Sequence, residues 1–371
     1  MPAICPPRRC VRRRSRVGAC AAAWCVAAAA VAADAPVWKF SVGMEEHYRM
    51  SQDMTLAMDM GPAGKMNTVV KQQIDMTWRV LEVSESGVAK LTQKIDRMRM
   101  QMTAPGGNEI AFDSSSSEPP TGFAAMLAPV MKELTKTAFE VSMSPRGEVL
   151  DVAIPEDLLK ALKNSPGAAM MGDLTSREGL KQMVEKGSLT LPEQLEAGQQ
   201  WSTEVQLKNP VFGTQTVATT YTYVGSRDVD GATLDVFQPT LSMRFGDAAA
   251  GNGAKIEIAD QKSTGEVLFN RTAGRLESSA IDMEMDMNIS VGGRDIQQAI
   301  DQKVRMRRIS LEELEREAAA AQAAAAAAQP ADAVPADANP AATEPAATEP
   351  ADEAESGDAP AAEAPREPAA N

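Results

Sequence analysis

Two long stretches of this chain alternate apolar and polar side chains with a period of two. From Glu46 to Met60, Tyr48, Met50, Met54, Leu56, Met58 and Met60 share one parity, while His47, Arg49, Ser51, Asp53, Thr55 and Asp59 share the other. From Ile281 to Val291, Met283, Met285, Met287 and Ile289 alternate with Asp282, Glu284, Asp286 and Asn288. That is the period of a strand with one face buried. Each run ends in a turn signal, Gly61-Pro62-Ala63-Gly64 and Gly292-Gly293, and is followed by a second apolar-periodic run, so both read as antiparallel hairpins.

The two hairpins also match each other. Met58-Asp59-Met60 and Met285-Asp286-Met287 precede the runs Val70 to Val80 and Ile296 to Met306, which align on Ile74-Asp75 and Ile300-Asp301 with one residue of slack in the turn. The match predicts a duplicated β unit. A third strand ends in Met98, Met100 and Met102, but Leu91 and Ile95 have the opposite parity, which places a bulge near Asp96.

Between the hairpins the pattern changes. Phe123, Leu127, Val130 and Leu134 have helical spacing, with Pro129 as a kink, after a Ser/Pro linker from Asp113 to Pro120. A hairpin around Ser144-Pro145-Arg146-Gly147 follows. Pro155-Glu156-Asp157 starts a helix burying Leu158, Leu159 and Leu162, and Thr175-Ser176-Arg177-Glu178 reads as a capping box for a helix that stops at Gly187. Further strands are expected at Ser202 to Leu207, Thr214 to Val224, Ala232 to Phe237, Leu241 to Phe245, Lys255 to Ile258 and Glu266 to Asn270. Ser310-Leu311-Glu312-Glu313 caps a last helix running into polyalanine.

The ends are of different composition. Arg8, Arg9, Arg12, Arg13, Arg14 and Arg16 precede an alanine-rich apolar run and small residues at Val31-Ala32-Ala33, the layout of a cleaved export signal. All four cysteines lie inside it, so an exported chain would carry neither thiol nor disulfide. After Pro330 the Ala, Pro and Glu composition cannot order itself by burial and reads as a disordered acidic spacer. The expected organisation is a signal over 1–33, a first β half with one helix over 34–154, a helical connector over 155–198, a second β half over 199–310, an Ala-rich helix over 311–329 and the tail over 330–371.

Removing the six signal arginines from 37 Lys+Arg leaves 31 against 51 Asp+Glu, a net charge of −20. The tail holds ten acids and Arg366, or −9, so the body carries −11. On average such a surface repels nucleic acid and anionic membrane. No later segment has the run of apolar residues a transmembrane helix needs.

Chemistry-bearing motifs are few. His47 is the only histidine, on the polar parity of its strand, and reads as solvent-facing; with no G-x-S-x-G elbow, no Walker loop, no dinucleotide fingerprint and no HExxH, neither catalytic residues, a cofactor nor a metal site is expected. The expectation is that the protein is not an enzyme. The methionine triplets put thioethers on one strand face about 6.6 Å apart. Soft thioethers can take Cu(I), but twenty-two methionines spread over most strands fit core filling better, with a lipophilic lining as the functional alternative. The candidate ligand-binding residues are Met58, Met60, Met76, Trp78, Met283, Met285 and Met287, where the two hairpins face one another.

Trp38-Lys39-Phe40 with Gly43 and Tyr48, Ile95-Asp96-Arg97 before Phe112-Asp113-Ser114, Ser144-Pro145-Arg146-Gly147 and Gly274-Arg275-Leu276 together resemble a family of exported bacterial proteins known only as a domain of unknown function. The resemblance covers most of Val37 to Ile309 and implies export and a β-rich fold, with no activity attached. A weaker likeness, of fold only, is to lipoprotein-carrier half-barrels with an acyl-chain cavity. The fold expected is α+β: a mostly antiparallel, strongly curved sheet or open barrel from two related halves, a few covering helices and a disordered tail. Two functions fit it. One is a non-catalytic protein of the periplasm or cell exterior binding a lipid on a Met-rich face; the other is a structural or interaction module of the envelope, with the tail as spacer to a partner protein.

Overall fold

The computed structural model describes residues 35–116, 120, 122–164, 176–209, 213–246 and 255–328. The expected signal, the tail from Pro330, Thr175 and part of the Ser/Pro linker lie outside these residues. The chain divides into two units, Met1–Arg316 and Glu317–Asn371; the described part of the second is the continuation of the last helix to Ala328.

Among the described residues, twelve strands form one mixed-length antiparallel sheet: β1 (Glu45–Asp59), β2 (Lys65–Val83), β3 (Ala89–Thr103), β4 (Glu109–Asp113), β5 (Ala138–Met143), β6 (Val149–Ala153), β7 (Gln200–Asn209), β8 (Gly213–Val229), β9 (Ala232–Phe245), β10 (Lys255–Asn270), β11 (Arg275–Val291) and β12 (Arg294–Ile309). Their order is β6-β5-β3-β2-β1-β12-β11-β10-β9-β8-β7, with β4 added on the hairpin end of β3. The two β halves therefore meet edge to edge at β1 and β12, whose pairing runs from His47↔Ile309 to Asp59↔Gln297. Among the described residues the α-helices are α1 (Gly122–Lys136), α2 (Glu156–Asn164), α3 (Arg177–Gly187) and α4 (Leu311–Ala328).

The sheet is not closed by strand pairing. Its two ends are β6 and β7, and α3 packs against both. The segment after α3 ties the same two edges: Leu191 N donates to Arg146 O at 2.7 Å, and Trp201 Nε1 to Thr190 O at 2.8 Å. A helix thus stands where a further strand would complete a barrel, and it covers edges that would otherwise invite pairing with another chain.

Curvature follows from the core. β2 and β10 are four strand steps apart, about 19 Å across a flat sheet. Yet the ring of Trp38 lies 5.9 Å from Trp78 on β2 and 5.4 Å from Phe269 on β10. The sheet must curl around Trp38 for both contacts to exist. Tyr48, Leu91, Phe139, Val141, Met143, Phe237 and Phe269 complete this buried cluster with the leucines of α2 and α3. A second cluster lies under α1, where Ala124 and Ala128 bring the helix close to Ile74, Met98 and Phe112.

Several expectations hold at the level of residues. The bulge near Asp96 is there: Asp75 pairs with Arg97 but Met76 with Ile95. Ser310 Oγ accepts from Glu313 N at 3.1 Å and caps α4. The capping serine of α3 is Ser176, which accepts from Gly179 N at 3.0 Å, one residue beyond the expected Thr175.

Four expectations need correction. The duplicated unit does not survive in register: Met58 sits opposite Met66, whereas its counterpart Met285 sits opposite Ile300, eight residues out of step with the sequence alignment. A period of two lets any two amphipathic hairpins align, so the match carried less information than its length suggested. His47 is not solvent-facing: its side chain is 11% exposed and Nδ1 lies 2.8 Å from Thr77 Oγ1. β4, which the expected strands do not include, ends at Asp113 where the supposed linker begins. The breaks expected around 238–240 and 259–265 are absent, because β9 and β10 run through them on their other partners, β8 and β11. Between β9 and β10 themselves the ladder covers only Leu234–Phe237 with Val267–Asn270. Beyond Pro239, which has no N–H to donate, Ser263 Oγ accepts from Leu241 N and Gln261 Oε1 from Met243 N, both at 3.1 Å.

Candidate functional site

The inner face of the curled sheet has a filled base and a looser hairpin end. At the base the N-terminal segment acts as a plug. Trp38 N donates to Pro145 O at 2.8 Å, Trp38 Nε1 to Leu189 O at 3.0 Å, and Lys39 N to Gly274 O at 2.9 Å. Gly147 and Gly274 have φ of +84° and +66°, and a Cβ at Gly147 would stand 2.1 Å from Leu189 O and 2.5 Å from Trp38 Nε1. Only glycine fits this crossing.

Ion networks surround the plug. Asp235, 1% exposed, accepts two bonds from Arg271 at 2.8 and 2.7 Å and others from Tyr223 Oη and Ser226 Oγ. That carboxylate holds the Arg271 guanidinium above its ordinary pKa. Glu46 meets Arg275 at 2.9 Å, and Glu277 meets both Arg275 and Arg308. Burial works against ionisation of Glu277, but the two guanidiniums and Asn270 outweigh it and its pKa is lowered. Tyr48 Oη lies 3.3 Å from Leu276 O, and burial, helped by Glu46 and Glu277, pushes the phenol well above its usual range. Each of these groups is engaged by fixed partners, which is how charges are held in place for structure.

At the hairpin end the same face is differently occupied. Register puts Met66, Met58, Gln298, Met287 and Ile258 in one row across β2, β1, β12, β11 and β10. The next row holds Thr68, Leu56, Ile300, Met285 and Gln261. Met58, Met66, Leu56 and Ile300 are only half-buried, whereas Met283, Met285 and Met287 are at most 7% exposed. A cleft of about 660 Å³ at the hairpin tips is lined by Met58, Met66, Met287, Asp59, Asp286 and Gln298, among others.

The seven candidate residues therefore do not form one site. Met58 and Met287 come together in a row two strand spacings wide, about 9.6 Å, with Met285 and Met283 next on β11 and Met60 just past the end of β1. Met76 and Trp78 belong to the base. Met76 faces Tyr48, ten residues or about 33 Å along the strand from Met66, and the Trp78 ring packs 5.2 Å from that of Tyr48. Residues missed from sequence are Met66, Leu56 and Ile300; counting register from the turn at Gly61 would have found Met66. Among the described residues, no group of three or more His, Cys, Asp and Glu side chains could hold a metal ion. No helix among them is long and apolar enough to cross a membrane.

The residues that carried the family resemblance prove to be contact partners. Trp38, Pro145, Gly147 and Gly274 meet in the plug, and Arg97 binds Asp113 through Nε and Nη2 at 3.1 and 2.6 Å while Ser114 Oγ accepts from Met98 N. Residues 86–236 match the model of DUF6263, a family of unknown function. The matched stretch runs from the turn before β3 to β9, and so contains the β5–β6 hairpin and the Gly147 crossing. No curated protein matches the chain. Solved structures similar to it include DynF from the dynemicin biosynthesis pathway of Micromonospora chersina, at 9% identity and a TM-score of 0.20 over 76% of this chain and 90% of that one. An outer membrane channel from Pseudomonas putida F1 matches at 8% and 0.21 over 73% and 97%, and an exported protein with a YmcC-like fold from Bacteroides fragilis at 7% and 0.18 over 72% and 97%. At such scores none of the three bears on fold or ligand.

Proposed function

We propose that this is a non-catalytic, exported envelope protein that takes a lipophilic ligand on the hairpin end of its Met-rich inner face. One observation carries the reading: on the same strands, apolar side chains that are buried at the base are left half-exposed at Met54, Leu56, Met58, Met66 and Ile300. An apolar lining with room beside it, walled by flexible thioethers, suits acyl chains of variable shape. The charged groups point the same way, since those at the base are engaged by fixed partners. Displacement of a fluorescent fatty acid, with native mass spectrometry after mild purification, tests the proposal. Saturable binding that weakens at least tenfold in Met58→Asp supports it, and a protein that stays ligand-free in both assays refutes it.

A second reading, an interaction module with the acidic tail as spacer, draws support from the way α4 is fixed at its start. Glu313 bonds Arg307 through both carboxylate oxygens and lies 3.8 Å from Arg49 Nη1, so the first turn of α4 is fastened to the outer face of the sheet. Pull-downs with the full chain and with one ending at Ala328 should then recover different partners; identical partners would remove this reading.

A further inference from the structure

β9 and β10 are neighbours in the sheet that their backbones join over only part of their length. Each is held on its other side from end to end, β9 to β8 from Ala232 to Phe245 and β10 to β11 from Lys255 to Asn270. Between the two, the ladder covers Leu234–Phe237 with Val267–Asn270, at the base. Carried on, that register sets Pro239 opposite Gly265, Leu241 opposite Ser263 and Met243 opposite Gln261.

Two residues break the ladder. Pro239 has no N–H to give, and its buried ring lies over Gly265, where a Cβ would stand 2.7 Å from Pro239 Cγ. Past this wedge, side chains bridge the strands in place of backbone. Ser263 Oγ accepts from Leu241 N and Gln261 Oε1 from Met243 N, both at 3.1 Å, and Gln261 Nε2 donates to Leu241 O at 3.2 Å. Ser263 and Gln261 share the parity of buried Val267 and Phe269, so two polar side chains of the inner face are turned into the seam.

The seam runs from the base toward the hairpin end and borders the Met-rich rows. On β11, Met283 pairs with Ser263 and Met285 with Gln261. On β9, Leu241 and Met243 are half-buried on the parity of Phe237. On the outer side Thr240, Ser242, Lys262 and Thr264 are exposed. Three side-chain hydrogen bonds, each exchangeable for water on the open outer side, thus stand between solvent and an apolar face.

We propose that the β9–β10 seam is the passage through which the acyl chain of a lipophilic ligand slides between the strands onto the inner face. Gln261 and Ser263 release Leu241 and Met243, the laddered segment at the base serves as hinge, and β9 moves with β8, to which it stays paired. Sideways entry lets a polar headgroup remain in water while the tail passes Leu241 and Met243, so no polar group is stripped of water on the way. This role rests on the lipophilic reading of the inner face and adds its route of entry.

Amide hydrogen exchange tests the seam without ligand. Asp235, Phe237, Leu241 and Met243 share one parity, but only the first two lie in the ladder with β10. Leu241 and Met243 should exchange at least about tenfold faster than Asp235 and Phe237, and equal protection overturns the proposal. Stopped-flow uptake of the fluorescent fatty acid tests the passage. In a chain with Cys5, Cys10, Cys20 and Cys25 replaced by serine, Thr240→Cys and Thr264→Cys, exposed and opposite one another across the seam, are joined by a short bismaleimide. Ala218→Cys and Ser242→Cys, joined in the same way across the β8–β9 ladder, are the control. Linking the seam should slow association and release about tenfold each and leave the equilibrium affinity within about twofold, while linking the control pair changes neither. Gln261→Ala with Ser263→Ala should speed association several-fold. Uptake as fast with the seam linked as with it free, or a loss of affinity on linking, overturns the passage and leaves lipid binding standing. No binding by the unlinked protein removes the lipophilic reading and the passage together.

Discussion

Met143 and Met58 are the same residue type on the same apolar face, yet one is fully buried at the base and the other is half-exposed at the hairpin end. The base owes its density to a plug the strands do not provide themselves: Trp38 enters from the N-terminal segment and gathers Phe40, Trp78 and Phe269 around it. Among the described residues, the hairpin end has strand side chains and α1. Methionine content therefore says little by itself about core or site. Between Met143 and Met58 the difference is whether another element fills the space in front of the strand; on β11, Met283, Met285 and Met287 are buried at the hairpin end as well.

The largest expected effect is at the base. Trp38→Ala removes the ring on which β2 and β10 converge and should cost about 4 kcal/mol, read as a lowered urea midpoint; a loss below about 1 kcal/mol would mean that the two ends are not so different. Gly147→Ala follows, at roughly 3 kcal/mol, because a methyl group cannot enter between Leu189 O and Trp38 Nε1 at positive φ. Gly61→Ala, at a turn with open space, should cost clearly less.

Acid gives a third handle. Burial raises the Asp113 pKa, but the Arg97 bonds and the Ser115 amide and hydroxyl overcome this and bring it down to about 2. A folded pKa below the unfolded one contributes stability that is complete above about pH 4 and is lost as pH falls toward 2. For this partly exposed pair the contribution is at most about 2 kcal/mol. Arg97→Gln should remove that part of the acid limb of the stability profile and loosen β4, while leaving Trp fluorescence from the base unchanged at neutral pH. The smallest effect is expected at Met58→Ala, below about 1 kcal/mol in stability, with a measurable loss of ligand binding; the reverse pattern would place Met58 in the core.

Local signals were legible in the chain and long-range ones were not. The parity switch at Asp96, the cap at Ser310 and the leucines of α2 are each set by neighbours within a turn or two, and each was readable. The helix that bridges β6 and β7 was not, since nothing local to Arg177–Gly187 says which edges it will cover. The seam between β9 and β10 was hidden for the same reason: Gln261 and Ser263 meet Met243 and Leu241 only through the register set at the base. Met76 and Trp78 were grouped with Met58 because they share its parity. Parity fixes the face of a strand and not the position along it, and β2 is nineteen residues long.

The contrast between base and hairpin end is tested most directly by the methionine ε-methyl NMR spectrum during titration with a medium-chain fatty acid. Shifts confined to Met54, Met58, Met66 and Met287, with Met143 and Met76 unmoved, are the expected result. Shifts centred on Met143 or Met76, or none at saturating ligand, would contradict it.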